Sequence, residues 1–193
     1  TDAYKLFHKE AYREGITQVY SNFTSRSGRL SNVPNSIDGV AFVGLQYFMK
    51  DTLIDQWNST FFNVDEDEAI NYIRKHTRAL LGFDYNVDHF IALHKLGYLP
   101  IEIKALPEGS MVPYGVPAIT FRNTHPDFSW LPNYLETVLS TENWGIQTSA
   151  TTSRSYLKNT KKMFKDVGLT DDLLLFMNHD FSMRGMFGKQ AAA

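Results

Sequence analysis

The sequence contains no cysteine, which excludes disulfides and thiolate metal sites and fits a reducing compartment; a cytoplasmic location is expected. It also lacks a basic excess. Its 19 lysines and arginines against 21 aspartates and glutamates give a formal charge of −2, so there is no general electrostatic case for nucleic acid or an anionic membrane as partner. Any phosphate binding has to be local. Long apolar runs are missing as well: the longest, from Val40 to Met49, is interrupted by Gly44 and Gln46 and is too short to span a bilayer. No stretch reads as a signal peptide, linker, repeat or low-complexity segment. What is present is ordinary globular material, 193 residues of which 43% are hydrophobic and 14% aromatic, enough to bury a core in one large domain or two small ones. The opening at Thr1 without a methionine, and the closing Gly188 to Ala193 in what reads as a helix start, lead to the expectation of a fragment.

Along the chain, the alternation of Val19 to Thr24 predicts a strand, followed by the loop Ser25-Arg26-Ser27-Gly28-Arg29. Guanidiniums and hydroxyls in a small flexible loop suit an anion with several oxygens, although such a loop is also commonly just solvated. Apolar spacing predicts a helix over Ile37 to Trp57. Asp65 and Glu68 form the signature of a capping box for a helix ending at Gly82, and this explains the acidic run Asp65 to Glu68 better than a metal site does. A third helix is predicted from an Asn86 cap to Gly97. Leu99 to Pro107 and Gly109 to Thr120 read as strands joined at Pro-Glu-Gly, with Pro113 and Pro117 demoting Ser110 to Pro117 to an edge or bulged strand. Asp127 to Asn143 and Ile146 to Val167 read as two helices. On the second, Arg154, Lys158, Lys161, Lys162 and Lys165 form a basic stripe of the kind that usually faces solvent.

Near the end, the apolar run Leu173 to Met177 has the length and composition of a strand and stops at His179-Asp180-Phe181-Ser182-Met183-Arg184-Gly185. In α/β folds, ligands bind just past strand ends. There Arg184 suits a phosphate and Phe181 a flat heterocycle. A core phenylalanine and a solvated arginine are the plainer alternatives.

Three separated stretches give the sequence a resemblance to the nicotinamide phosphoribosyltransferase family: Thr1-Asp2-Ala3-Tyr4-Lys5, Leu99 to Gly109, and His179 to Gly185. Val19 to Phe23, Gly44 to Tyr47 and Trp130 to Thr137 lie between them in family order, so the resemblance covers essentially the whole chain. The family joins nicotinamide to phosphoribosyl pyrophosphate, making nicotinamide mononucleotide and pyrophosphate in NAD salvage. The resemblance implies that Phe181 stacks on nicotinamide and that Arg184 contacts ligand at the same place. It implies too that Tyr4 closes the other face of the ring from the partner subunit with Asp2 beside it, and that Arg26 handles the pyrophosphate end. Asp2 and Arg184 are the catalytic candidates it carries over. It further implies a homodimer with shared active sites and Mg²⁺ accompanying pyrophosphate. No metal ligand is assigned within this chain.

The chain departs from the family in having Ser182-Met183 where relatives commonly have Gly-Tyr. It also ends before the acidic residue that recognises the nicotinamide amide and the histidine linked to ATP use, so the residues 1–193 are expected to be inactive alone. Nicotinate as the base, or a non-catalytic nucleotide-binding or dimerisation module, are the competing readings. The expected fold is mixed α/β: an α+β region over 1–125, then over 126–193 the beginning of a barrel-like type II phosphoribosyltransferase domain.

Overall fold

A computed structural model describes residues 1–31, 39–179 and 181–186, leaving aside the side chain of Ser182. The fold is mixed helix and sheet, as expected. Strands β1 (Tyr20–Thr24), β3 (Ile101–Ala105) and β5 (Pro117–Asn123) form a sheet in the order β1-β5-β3. β2 (Gly39–Ala41) pairs antiparallel with β4 (Met111–Pro113), placing Val40 opposite Val112. The helices are α1 (Leu45–Tyr47), α2 (Glu66–Leu81), α3 (Asp88–Leu96) and α4 (Leu131–Asp166).

The residues fall into two compact units, each discontinuous in sequence. Unit 1 comprises Thr1–Ser21, Gln46–Lys104 and Thr120–Leu139; unit 2 comprises Asn22–Leu45, Ala105–Ile119 and Ser140–Ala193. These units do not coincide with the ranges 1–125 and 126–193, which remain a proposal about the longer family protein.

Unit 1 is built around Phe61, Ile70, Val87, Phe90, Leu93, Trp130 and Leu131. The helices that supply these residues begin and end as their sequences dictate. Asp65 Oδ1 accepts from the amides of Asp67 (3.0 Å) and Glu68 (3.4 Å), and α2 stops at Gly82 with φ +79°. Asn86 Oδ1 accepts from the Asp88 amide at 2.8 Å, and Gly97 ends α3 with φ +80°.

In unit 2, the β2–β4 ribbon carries buried Ala41 and Val112, beside buried Phe42. Gly39 is obligatory there, because a Cβ at that position would sit 2.2 Å from the Val112 carbonyl oxygen.

Four expectations are corrected. The helix predicted over Ile37 to Trp57 has its described part split: Gly39–Ala41 is strand, Gly44 turns the chain at φ +98°, and helical winding begins only at Leu45. That winding continues past Trp57 as wide π-helical turns to Phe62. Ile37 and Asp38 lie outside the described residues. The strands on either side of Pro-Glu-Gly do not pair with each other, since β4 takes β2 and β3 takes β5. The turn itself forms, with the Ser110 amide donating to Pro107 O at 3.2 Å, but the Gly109 amide is used by Phe42 O at 2.8 Å.

The two helices predicted either side of Gly145 are one, α4. A mid-helix glycine costs about 1 kcal/mol relative to alanine, less than the burial of the residues around it returns. Finally, Leu173 to Met177 is not a strand; Asp171–Phe176 is a 3₁₀ helix in which only Leu174 is buried. A strand needs neighbours to satisfy its amides, and among the described residues none pairs with this segment. Asp171 instead bonds Lys161 Nζ at 2.5 Å.

Candidate functional site

In unit 1 the opening residues are held by the first turns of α4. The Thr1 hydroxyl donates to Tyr134 O at 2.7 Å, and Thr137 Oγ1 donates to Asp2 Oδ2 at 2.6 Å. Lys5 Nζ donates to Asn133 O at 2.9 Å and to Glu136 Oε2 at 2.5 Å. His8 Nδ1 and Asn133 Nδ2 are 2.5 Å apart. Thus Tyr4 sits on a pinned 3₁₀ segment, Ala3–Leu6, with Asp2 at the position just before it. The Tyr4 ring is exposed, 4.8 Å from that of His8, and is free to face a ligand.

Lys5, Asn133 and Glu136 were not singled out as site residues in the sequence. Their signal was there, in the two motifs Thr1 to Lys5 and Trp130 to Thr137 that matched the family separately. Beneath them, burial pushes the Tyr134 hydroxyl up to about 12, so it stays protonated through the neutral range.

In unit 2, Arg26 lies on the rim of a cleft of about 480 Å³. The loop that carries Arg26 is fixed at both ends. Ser25 O accepts from the Gly115 amide at 2.9 Å, and Gly28 O accepts from the Ser31 amide at 2.9 Å. A side chain at Gly28 would collide with the Tyr114 hydroxyl, 2.7 Å from the Cβ position. The cleft walls carry hydroxyls, among them Ser25, Ser27, Thr148, Thr152 and Tyr156, and among the described residues no carboxylate residue lines it. Arg26 is exposed and has no ion pair among the described residues. An exposed cation on a cleft lined with hydroxyls, without an ion pair among the described residues, is chemically suited to a phosphate ester.

Phe181 and Arg184 also fall in unit 2, on and next to the 3₁₀ turn Ser182–Gly185. Phe181 is 79% exposed, with the His179 ring 6.2 Å away. It is not a core residue. Arg184 is exposed and without an ion pair among the described residues. Neither residue lines the Arg26 cleft. Tyr4 belongs to unit 1 and Phe181 to unit 2; Asp180 lies outside the described residues.

Among the described residues no group of three or more histidines, aspartates or glutamates is placed to hold a metal ion. With no acid among the described residues that line the Arg26 cleft either, these residues do not fit a protein-held Mg²⁺, and no chemical step is assigned to one. No helix among the described residues is long and apolar enough to cross a membrane.

In solved structures the architecture has a counterpart in human nicotinic acid phosphoribosyltransferase. The match has a TM-score of 0.54 and 21% identity over 79% of this chain and 27% of that one, which is a likeness of fold. The sequence goes further. The model of the nicotinamide phosphoribosyltransferase N-terminal domain matches residues 1–103, and the chain belongs to this family. It is 43% identical over 194 residues to the nicotinamide phosphoribosyltransferase of Acinetobacter baylyi, covering 100% of this chain and 38% of that protein. To the enzyme of that name from Mycoplasma genitalium it is 30% identical over 207 residues, covering 99% and 44%. The chain therefore spans less than half the length of these relatives.

Proposed function

We propose that the chain is the amino-terminal portion of a nicotinamide phosphoribosyltransferase, an enzyme that condenses nicotinamide with phosphoribosyl pyrophosphate and releases pyrophosphate. The observation that carries this reading is identity of 43% along the whole chain to a protein of that name. The geometry supports it at both ends of the reaction. Displacing pyrophosphate from the anomeric carbon builds positive charge on the sugar and negative charge on the leaving group, and Arg26 is an unneutralised cation for the latter. The ring nitrogen that attacks is already nucleophilic and requires orientation, which exposed Phe181 and Tyr4 supply from its two faces, with Tyr4 contributed by a second subunit. Arg184 joins Phe181 at the base, and Asp2, fixed by Thr137, sits beside Tyr4. The homodimer, magnesium accompanying pyrophosphate, ATP coupling and a cytoplasmic location belong to the same reading of the complete enzyme.

The test is an assay of nicotinamide mononucleotide formation by the full-length protein, with nicotinate as the competing base. Preferential turnover of nicotinamide is expected; preferential turnover of nicotinate, or none of either, overturns the assignment. Residues 1–193 alone are expected to form no product, because they account for the ring sandwich and only part of the phosphate grip. Correct positioning supplies roughly 7–11 kcal/mol of barrier reduction in reactions of this kind, and an incomplete set forfeits much of it.

A further inference from the structure

Every fourth residue of α4 from Leu131 to Ser155 is buried, and the character of this row changes along the helix. Leu131, Leu135 and Leu139 are apolar, whereas Asn143, Gln147, Thr151 and Ser155 are polar. A buried polar residue is tolerated when its groups are bonded. The hydroxyls in the polar half meet that condition: Thr151 donates to Gln147 O at 2.6 Å and accepts from the Ala41 amide at 2.9 Å, and Ser155 donates to Thr151 O at 3.0 Å. Gln147 does not. The residue is 2% exposed, and among the described residues its Nε2 has no hydrogen-bond partner. A donor left in this state costs about 1–3 kcal/mol.

Gln147 also lines the cleft that Arg26 overlooks. So one cleft, within one unit, is lined by a guanidinium without an ion pair, an amide donor without a partner, several hydroxyls and no acid, all among the described residues. Both unpaired groups are donors, and together they call for a ligand rich in acceptor oxygens.

We propose that Gln147 is a further substrate-binding residue, whose buried amide donates a hydrogen bond to an oxygen of the phosphorylated ribose gripped by Arg26. This rests on the reading of Arg26 as a pyrophosphate residue, and it adds a neutral contact from α4 that the motifs of the family do not mark. An amide in this place suits the ligand better than a second cation. It fixes the sugar phosphate by direction, adds no charge that would hold the product pyrophosphate, and stays the same at every pH of interest.

The experiment uses the full-length protein and compares wild type with Gln147→Met, which keeps the length of the side chain and removes the amide. Binding of phosphoribosyl pyrophosphate, ribose 5-phosphate, inorganic pyrophosphate and nicotinamide is measured by calorimetry, alongside the melting temperature. The expected result is about a 10-fold or greater rise in Kd for at least one phosphorylated probe, with nicotinamide binding unchanged and the melting temperature unchanged or raised, because the unpartnered donor is gone. Unchanged binding of all three phosphorylated probes by a folded variant overturns the proposal, as does wild-type protein that binds none of them. If Gln147→Met does not fold, Gln147→Asn, which keeps the amide and withdraws it by one methylene, is measured instead; unchanged affinity there likewise overturns it. Because these are binding measurements, a protein that binds the probes through Gln147 and yet makes no nicotinamide mononucleotide sinks the enzymatic reading and leaves this one standing.

Discussion

Lys5 Nζ lies 2.5 Å from Glu136 Oε2, and the two ends of this pair live in different solvents: the Lys5 side chain is 3% exposed and that of Glu136 62%. The lysine therefore bears most of the desolvation, and it is compensated by one carboxylate and one carbonyl, Asn133 O at 2.9 Å. Around it Thr1 and Asp2 bond Tyr134 and Thr137. The segment that presents Tyr4 is thus fastened to α4 by four residues of one helical stretch, Asn133, Tyr134, Glu136 and Thr137. Two motifs that are far apart in sequence make one structural clamp.

Glu136→Gln is expected to destabilise the fold by about 2 kcal/mol, because it leaves a buried ammonium with neutral partners only. Lys5→Met, which removes the buried charge and keeps the stem, is expected to cost less than Glu136→Gln. Chemical denaturation of both variants decides the matter. Equal, negligible losses mean that Lys5 reaches water and the clamp is held by Thr1 and Asp2 alone.

Phe181→Ala is expected to leave the melting temperature unchanged within a degree or two while weakening nicotinamide binding. The ring is 79% exposed and contributes little to the core, whereas stacking on a flat base is worth about 1 kcal/mol beyond the area it covers. Affinity and melting temperature are measured on the same full-length preparation. A large loss of stability with unchanged affinity returns Phe181 to a packing role.

Much of this was legible in the sequence where the physics is local. The cap at Asp65 and the stops at Gly82 and Gly97 are found where the residues put them, and Asn86 bonds the Asp88 amide although Val87, one residue later, stands at the N-cap of α3. The strand predicted over Leu173 to Met177 was misread because apolar length alone does not supply a pairing partner, and the segment coils into a 3₁₀ turn instead. Gly39–Ala41 was hidden for the converse reason: its partner, Met111–Pro113, lies some seventy residues away, and a helical spacing of apolar residues ran across it. For the candidate site, Phe181, Arg184, Tyr4 and Arg26 are all exposed, while the ligand contacts that the family motifs imply for them are part of the proposal. Gln147 carried no local signal, since only the folded chain shows that its amide is buried beside a cleft.

Arg26→Lys and Arg184→Lys are each expected to impair use of phosphoribosyl pyrophosphate by about 10-fold or more in kcat/KM. A guanidinium grips two oxygens with a planar fork, and an ammonium replaces that fork by a point charge. Both residues are exposed and unpaired among the described residues, so the melting temperature should not move. Steady-state kinetics with each substrate varied in turn provide the check, and normal constants in both variants refute the assignment.

His89 is buried in unit 1 against the indole of Trp130, their rings 4.9 Å apart and nearly perpendicular. Burial depresses its pKa to about 4, with Lys9 acting in the same direction and Asp88 and the Leu6 carbonyl opposing. The ring is therefore neutral in the folded protein and gains a proton on unfolding at any pH between about 4 and the ordinary histidine value of about 6.5. The unfolded state binds more protons across that window, so stability is fully present above about 6.5, falls as pH is lowered, and levels off below about 4. At 1.36 kcal/mol per pH unit the depression amounts to about 3 kcal/mol. Denaturation of wild type and His89→Gln from pH 7.5 to 4 isolates this contribution from that of the surface carboxylates, which both proteins share. The wild type should lose about 3 kcal/mol more than the variant over that range; parallel curves show that His89 is already solvated, or already charged, in the native protein.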